Sequence, residues 1–585
     1  MKSVHSTFRG FMSLLLAVLL GLTVPSISPV LASPPQDQNG QGEANRVGPC
    51  GHVPVDASNA IGIAKLCPPL GSSAGVAKGD FNGDGIADLA IGIPSKDVVV
   101  QTASGLVTVV NAGAVQIIYG SAATGLVAPG SGSLDSILLL ESTPGTNHLF
   151  GSALASGDFD KDGISDLAVG IPNATATNTS GRGAVQVFKG VSGSGLKKTP
   201  VATFGPSNFY VAPNASPTSS RGAYSLAWGD FNGDGAGDLA VASDYSSDGY
   251  LLTVHRAITV LFGTAGTGLT ATGKLHFETA SDTIADSGTD PSQVILSGGD
   301  FDGDGKTDLV AAMPFETVDG LVAAGAVHVL YGTTAGPSDC FSVPVCHIQP
   351  QRWTQNSTSI PGAAGPLAVF GSAVAGGDFN GDTVEDLAIG APGAAVGSAT
   401  GAGSVTVIHG GVGIGLQAPA SGSAVSLLLT ETTVGQTVLA NDGFGASLAA
   451  NKFNSDTFAD LAIGAPNKAS TRGIVAVIYG SSVSLSATAV RVPQILTANS
   501  IGVAAHAGDR FGASLTAWNF GRSTQADLAI GAPTSPVGSI LNAGNVFVLY
   551  GSSTGLAGTG QVWNENSAGL HNGAVTGDNF GAAVY

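Results

Sequence analysis

The sequence is poor in charge and in aromatic side chains. Only 11% of its 585 residues are charged and 6% are aromatic, and the formal net charge is −19. The 22 lysines and arginines form no clusters. The chain therefore lacks the basic patch that nucleic-acid binding requires, so we expect no nucleic-acid partner. It also lacks the runs of mixed charge at helical spacing that are typical of long exposed helices.

Cysteine is scarce, with four residues at Cys50, Cys67, Cys340 and Cys346. An even number in an exported chain permits disulfides. Local pairing, Cys50 with Cys67 and Cys340 with Cys346, is the simplest arrangement, and three connectivities remain open. No spacing of cysteine and histidine resembles a zinc site.

Long apolar runs are absent except at the N-terminus. Lys2 and Arg9 precede an apolar run from Phe11 to Val24, and Ala32 offers a small residue for cleavage. This pattern predicts a signal peptide over residues 1–32. An uncleaved anchor helix is the alternative, but the run is short for a membrane span. We therefore expect a protein that is secreted or held at the cell surface, with no membrane span after cleavage.

A polar segment follows the predicted cleavage site. Its composition, rich in proline, glutamine and glycine, predicts a disordered linker over residues 33–66. The remainder, residues 67–585, is dominated by one internal repeat.

The repeat is anchored by an aspartate-rich loop followed by Asp-Leu-Ala. Five intact copies begin at Asp80, Asp158, Asp230, Asp300 and Asp378. Weaker copies begin at Lys452 and Asn519, and successive copies are 67 to 78 residues apart. Such a period indicates a repeat architecture and not a series of unrelated domains.

Each unit contains about four short apolar stretches bounded by glycine, proline, asparagine and serine, which predict strands. Seven units of four strands predict an all-β fold, a seven-bladed β-propeller. The chain ends with Asp578–Tyr585, which matches the opening strand of a further unit. This strand either completes the first blade, which we favour, or is the start of a truncated unit.

The five intact loops place oxygen donors at positions 1, 3, 5 and 9, with a backbone carbonyl at position 7. Such donors at this spacing suit Ca²⁺. An Asx- and glycine-rich turn without metal is the alternative. The loops hold 17 aspartates, out of 41 acidic residues in the chain, and carboxylates packed so closely repel one another without a cation. The predicted ligands are Asp80, Asn82, Asp84, Ile86 and Asp88; Asp158, Asp160, Asp162, Ile164 and Asp166; Asp230, Asn232, Asp234, Ala236 and Asp238; Asp300, Asp302, Asp304, Lys306 and Asp308; and Asp378, Asn380, Asp382, Val384 and Asp386.

The five loops differ in their donors. The Asp158 and Asp300 loops carry four carboxylates each, so we expect them to bind most tightly. The Asp378 loop has Thr383 where the others have glycine, and a left-handed β-branched residue costs roughly 1–2 kcal/mol. We therefore expect it to be the weakest. The loops at Lys452 and Asn519 have lost donors and should hold no metal, and the Lys452 ammonium is a candidate to replace the ion. About five structural calcium ions are thus predicted.

Three features of the unit together resemble a known family. These are the Phe-Gly opening, as at Phe444-Gly445, the aspartate-rich loop, and the Gly-Ala-Pro ending at Gly464–Pro466 and Gly531–Pro533. They resemble the FG-GAP repeat of integrin alpha chains and related bacterial surface proteins, over about residues 68–585. The resemblance implies a seven-bladed propeller with calcium loops on one face and ligand contacts mainly on the other.

The function predicted first is adhesion or recognition of a protein or glycan ligand, with calcium as a structural support. The alternatives are a hydrolase or its accessory module, similar to the propeller of phospholipases that cleave lipid anchors, and a carbohydrate-binding protein. No catalytic constellation is present in the sequence, so we expect no enzyme. The nucleophile-elbow pattern from Gly551 to Gly555 falls at the turn that Gly332–Gly336 occupies in another unit, which favours a simple repeat turn.

Overall fold

The computed structural model describes residues 79–127, 134–175, 182–209, 221–246, 253–278, 282–283, 293–338, 348–417, 426–486, 492–570 and 573–585. The predicted signal peptide, the predicted linker and all four cysteines lie outside these residues. Among the described residues, no helix is long and apolar enough to span a membrane.

The described chain forms seven antiparallel four-stranded sheets, which we call blades 1 to 7. Blade 1 contains β1 (Leu89–Ile93), β4 (Ala114–Ile118), β5 (Ile137–Leu139) and β31 (Ala583–Val584). Blade 2 contains β6 (Leu154–Gly157), β7 (Asp166–Thr175), β8 (Arg182–Phe188) and β9 (Ala202–Phe204). Blade 3 contains β10 (Arg221–Gly229), β11 (Asp238–Ser246), β12 (Thr253–Phe262) and β13 (Thr270–Glu278), with β14 (Asp282–Thr283) also paired to β12.

The other four blades follow the same order. Blade 4 contains β15 (Ile295–Gly299), β16 (Asp308–Met313), β17 (Ala326–Leu330) and β18 (Gln351–Trp353). Blade 5 contains β19 (Ala373–Gly377), β20 (Asp386–Ala391), β21 (Ser404–Ile408) and β22 (Leu427–Leu429). Blade 6 contains β23 (Ser447–Asn451), β24 (Asp460–Ala465), β25 (Ile474–Ile478) and β26 (Gln494–Leu496). Blade 7 contains β27 (Ser514–Trp518), β28 (Asp527–Ala532), β29 (Asn545–Ser552) and β30 (Gly555–Trp563).

Little regular structure lies outside the blades. A separate hairpin, β2 (Val98–Thr102) and β3 (Gly105–Val109), follows the second strand of blade 1. A four-residue turn (Lys468–Thr471), in which Ala469, Ser470 and Thr471 have left-handed φ, and a 3₁₀ turn (Ala498–Ile501) also lie outside the blades. The all-β, seven-bladed prediction is confirmed.

The last strand closes the ring. In β31, Val584 pairs with Ile91 of β1, and Tyr585 exchanges two backbone hydrogen bonds with Ala90. The C-terminal strand is therefore the inner strand of blade 1, as predicted.

Seven hydrophobic cores lie between neighbouring blades. Each contains side chains from two adjacent blades: Val115 and Val169 join blades 1 and 2, and Ile91 and Val548 join blades 7 and 1. The second strands of blades 1 and 4 to 7 are buried along their whole length, as in Asp386–Ala391. Small residues permit this, because a Cβ on Gly92 would lie 2.2 Å from the Gly151 oxygen of the next blade. The blades thus bury both faces only as a ring.

The strand directions give the ring two faces. In blades 2 to 7 the inner strand runs into the repeat loop, and in all seven blades the second strand begins at the end of that loop. All seven of these loops therefore lie on one face, which we call the loop face. The second strands end in Gly-Ala-Pro or its variants on the other face, which we call the opposite face.

Candidate metal-binding loops

The first aspartate of each intact loop organises the backbone around it. In blade 1, Asp80 Oδ1 accepts hydrogen bonds from the amides of Gly83 at 2.7 Å and Asp84 at 3.1 Å, and Oδ2 accepts one from Gly85 at 2.8 Å. Blades 3 and 5 repeat this pattern at Asp230 and Asp378. One carboxylate thus shapes the turn that holds the other donors.

Positions 3, 5 and 7 form a second layer of bonds. Asn82 Oδ1 accepts from the Asp84 amide at 2.9 Å, and Asp84 Oδ1 accepts from the Ile86 amide at 2.9 Å. The position-7 amide donates to the position-5 carboxylate in the other intact loops as well, at Ile164, Ala236, Lys306 and Val384.

Two loops bring three carboxylates together. Oxygens of Asp158, Asp160 and Asp162 lie within 4.8 Å of one another, and so do those of Asp300, Asp302 and Asp304. In the other three intact loops Asn82, Asn232 and Asn380 supply the position-3 oxygen. The donor sets are hard oxygens on a preformed turn, which fits a Ca²⁺ ion. When bound, the ion would neutralise the carboxylates.

Position 6 is left-handed in all five intact loops. Gly85, Gly163, Gly235 and Gly305 have φ between 83° and 85°, and Thr383 has φ of 75°. Thr383 therefore has the left-handed conformation that we expected to strain the Asp378 loop. Thr383 still donates its amide to Asp378 Oδ2 at 3.1 Å, so the loop keeps its shape despite the unfavourable residue.

The aspartate at position 9 has a second role that the sequence did not reveal. Asp88 is fully buried, and its Oδ2 accepts from the Phe81 amide at 2.8 Å while its Oδ1 accepts from the Gly120 amide at 2.9 Å. It therefore connects the loop to the end of the third strand. The same pair of bonds is made by Asp238, Asp308, Asp386, Asp460 and Asp527, and Asp166 accepts from Gly190.

Burial and neighbouring charge act together on these aspartates. Burial raises the pKa of Asp238 to about 8, with further contributions from the carboxylates of Asp230 and Asp234. The ionised form is thus unfavourable in the bare loop. A bound divalent cation would reverse this balance.

Each loop also joins its blade to the next one. The carbonyl of Asp80 accepts from the amide of Ser165 in blade 2 at 3.0 Å, and the carbonyl of Asp300 accepts from Glu385 in blade 5 at 3.1 Å. Equivalent bonds occur at the five other boundaries, from Gly237, Thr307, Ala459, Ala526 and Ala87. The loops therefore form a continuous belt of backbone hydrogen bonds around the loop face.

The repeat motif now decides the family. The chain matches the FG-GAP repeat family over residues 73–118, 150–188, 294–330 and 370–408, which lie in blades 1, 2, 4 and 5. The chain is an FG-GAP repeat propeller.

Relatives of the FG-GAP propeller share only part of their length with it. Human phosphatidylinositol-glycan-specific phospholipase D is 31% identical over 207 residues, which is 35% of this chain and 22% of that protein. Integrin alpha-PS2 of Drosophila melanogaster is 26% identical over 246 residues, 41% of this chain and 15% of that protein. The chain thus spans about a fifth or less of the length of these curated relatives.

A solved rhamnogalacturonan lyase structure aligns with 82% of this chain and 75% of its own, at 11% identity and a TM-score of 0.34. A likeness at that level carries no information about function.

The two degenerate loops of the FG-GAP propeller differ from the intact ones. In blade 6 the Lys452 side chain is exposed. The Asn454 amide instead lies 3.2 Å from Asp460 Oδ2. Replacement of the ion by the Lys452 ammonium stays a prediction. In blade 7, Gly521 donates to Asn519 Oδ1 at 2.9 Å, at the place where the first aspartate of blades 1, 3 and 5 accepts from three amides.

Other predicted residues fall into structural roles. Trp228 and Trp518 are partly buried and pack against the inter-blade cores. Phe209 is 5% exposed and belongs to the core between blades 2 and 3. Ser552 Oγ donates to the Gly555 carbonyl at 2.6 Å. Thr333 makes the same bond to Gly336 at 2.7 Å. The nucleophile-elbow pattern is therefore a recurring hairpin turn in the FG-GAP propeller.

Two buried ion clusters on the opposite face were not foreseen. Lys96 of blade 1 lies 2.8 Å from both Glu565 of blade 7 and Asp578, which directly precedes the closing strand. Lys468 of blade 6 lies 2.8 Å from Glu431 and 2.7 Å from Asp442. Both lysines are the second residue after the proline that follows the second strand. Comparing the repeats position by position therefore shows that the two lysines are equivalent, but it does not show that they form ion pairs.

Proposed function

We propose that this protein is an exported, calcium-stabilised propeller that recognises a protein or glycan ligand outside the cell. The observation that carries the proposal is the set of five preformed oxygen-rich loops, each bonded to the next blade. The similarity to integrin alpha-PS2 favours a surface or extracellular setting and a role in recognition. The opposite face is the proposed ligand face, by analogy with the FG-GAP resemblance.

Calcium is the proposed ion, with about five sites in blades 1 to 5. Its ligands would be the position-1, -3, -5 and -9 side chains with the position-7 carbonyl. Carboxylate, amide and carbonyl oxygens in a tight loop suit this ion better than metals that prefer nitrogen or sulfur ligands. Its role would be structural, since the loops tie strands and blades together and contain no group poised for chemistry.

Metal counting tests this part of the proposal. Purified protein freed of metal and then equilibrated with Ca²⁺ by dialysis should retain about five ions per chain. Zinc, added separately at the same concentration, should not saturate the same sites. Retention of no calcium at millimolar concentration would overturn the proposal.

Ligand recognition needs a separate test. The calcium-loaded protein should be applied to a glycan array and to immobilised extracellular matrix proteins, and binding compared after chelation. A saturable signal on one array would define the ligand class. Binding that persists after the protein is unfolded would count against recognition by the propeller.

A second candidate is an accessory role beside a hydrolase. It is favoured by the similarity to phosphatidylinositol-glycan-specific phospholipase D. The assay is release of a glycosylphosphatidylinositol-anchored reporter from vesicles, combined with labelling by a serine-reactive probe. Turnover or labelling at a single residue would support this candidate over recognition alone.

A further inference from the structure

Lys189 occupies a place in the repeat where other blades carry an aromatic residue. It is the last residue before the glycine that follows the third strand, and it precedes Gly190. The equivalent residues are Tyr119, Phe262, Tyr331, Tyr479 and Tyr550, with His409 as the remaining member. Blade 2 alone places a lysine there.

The aromatic residues point toward the next blade. Tyr119 OH accepts from the amide of Leu196 in blade 2 at 3.0 Å, and Tyr331 OH accepts from Leu416 in blade 5 at 2.9 Å. Tyr550 makes the same contact with Leu126 across the closure of the ring. The tyrosine at this position thus links its own blade to the next one.

Lys189 instead turns to the loop of its own blade. Its Nζ contacts Asp160 Oδ2 and lies 2.9 Å from Asp162 Oδ2, and its side chain is 26% exposed. The Lys189 ammonium thus pairs with two of the four carboxylates that are proposed to bind calcium in this loop.

The other loops differ in this respect. Among the described residues, no lysine, arginine or histidine forms an ion pair with the carboxylates of the loops in blades 1 and 3. In blade 4, Lys306 Nζ lies 2.7 Å from Asp304 Oδ2, but it belongs to the loop and reaches one carboxylate only. In blade 5, His409 Nδ1 lies 3.1 Å from Asp386 Oδ1, which is at position 9.

We propose that Lys189 is a built-in counter-ion of the blade-2 loop that competes with calcium, so that this loop binds calcium more weakly than the loops of blades 1 and 3. The inference rests on the proposed calcium binding. It reverses the rank expected from carboxylate number alone, which placed the Asp158 loop among the tightest.

The competition follows from charge. A Ca²⁺ ion bound by Asp160 and Asp162 must displace the ammonium, which loses two ion pairs and remains close to a divalent cation. The stabilisation that Lys189 gives the metal-free loop is subtracted from the affinity for calcium. The loop would consequently remain ordered when calcium is scarce and load only at higher concentration.

The test compares calcium binding by the full chain carrying Lys189→Gln, or Lys189→Tyr, the residue type of four other blades. Lys198→Gln, an exposed lysine of the same blade, is the control with the same change in net charge. Calorimetric titration of the metal-free proteins should show one site that binds about threefold to tenfold more tightly in Lys189→Gln, in line with the strength of exposed ion pairs. The control should match the wild type.

A double change locates the effect. Adding Asp162→Ala should abolish the gain produced by Lys189→Gln, since it removes one of the two carboxylates that pair with the ammonium and, with it, a proposed calcium ligand. In the absence of calcium, Lys189→Gln should melt at a lower temperature than Lys198→Gln. Equal calcium affinity in Lys189→Gln, Lys189→Tyr and the wild type, with calcium bound by all, would overturn this inference alone. Absence of calcium binding in every variant would overturn the proposed function along with it.

Discussion

At the scale of single residues, the position-9 aspartate explains which parts of the loop persist when metal ligands are lost. Blades 6 and 7 lack the first aspartate, yet Asp460 and Asp527 remain and make both backbone hydrogen bonds. An aspartate at this position is therefore a structural clamp first and a metal ligand second.

Replacing Asp527 by Asn tests the clamp without involving metal. Asparagine retains one acceptor oxygen but presents an amide to the other backbone donor, leaving a buried amide without its partner. We expect unfolding free energy to fall by about 1–3 kcal/mol, with calcium stoichiometry unchanged, as measured by denaturant titration and metal counting. Asp135→Asn, at an exposed residue, should have little effect. A stability equal to that of Asp135→Asn would refute the clamp.

An aspartate occupies position 5 in the five intact loops and also in the degenerate loop of blade 6, which permits a matched comparison. Asp304→Ala removes a proposed ligand in blade 4 and should lower bound calcium by one ion per chain. At a calcium concentration about a hundredfold above the dissociation constant, the loss of this bound ion should lower the unfolding free energy by about 2.7 kcal/mol. The matched change in blade 6, Asp456→Ala, should leave the ion count unchanged. The idea fails if the two variants lose calcium equally.

At the scale of elements, the strands and loops could be predicted because they are local patterns repeated seven times. The alternation of short apolar stretches gave four strands per blade, and the match between Asp578–Tyr585 and the other unit openings gave the closing strand. Because four loops have glycine at position 6, the sequence predicted a left-handed conformation for Thr383 at the same position of the fifth loop.

Contacts between elements distant in sequence could not be predicted in this way. Lys96 meets Glu565 only because the ring closes, and Lys189 meets Asp160 only because the third strand ends beside the loop. The hairpin β2–β3 is an insertion in one blade, so no repeat average reveals it. Each depends on tertiary geometry that a local pattern does not encode.

The ion cluster between blades 5 and 6 should stabilise their boundary. Lys468→Met would leave Glu431 and Asp442 buried without their cation, and we expect a loss of about 3–5 kcal/mol in unfolding free energy. The boundary of blades 4 and 5 carries Gln355, Ala368 and Ala394 at the equivalent places. The triple variant Glu431→Gln, Asp442→Ala and Lys468→Ala copies these three residue types. It should recover more than half of the unfolding free energy that Lys468→Met loses, as measured by thermal or chemical unfolding. A triple variant less stable than Lys468→Met would show that the ion pairs are not the cause.

At the scale of the whole molecule, stability depends on closing a ring of seven blades. Val584 of β31 is 3% exposed and packs in the core between blades 7 and 1. Val584→Asp buries a charge at the closure, so we expect a loss of more than about 4 kcal/mol and a less cooperative melt. Val492→Asp, at a residue that is 69% exposed, is the matched control. Similar melting of the two variants would mean that β31 does not hold the ring closed.

On the loop face, backbone hydrogen bonds join the seven loops into a continuous belt, and these loops are rich in aspartate. If calcium supports this belt, removing it should loosen all seven boundaries together and not only the blades that bind it. The most direct measurement is the melting temperature of the full chain in millimolar calcium and after chelation, followed by calorimetry at constant ionic strength. The account predicts a large, cooperative fall in melting temperature that added calcium restores and magnesium restores poorly. An unchanged melting temperature after complete removal of metal would contradict it.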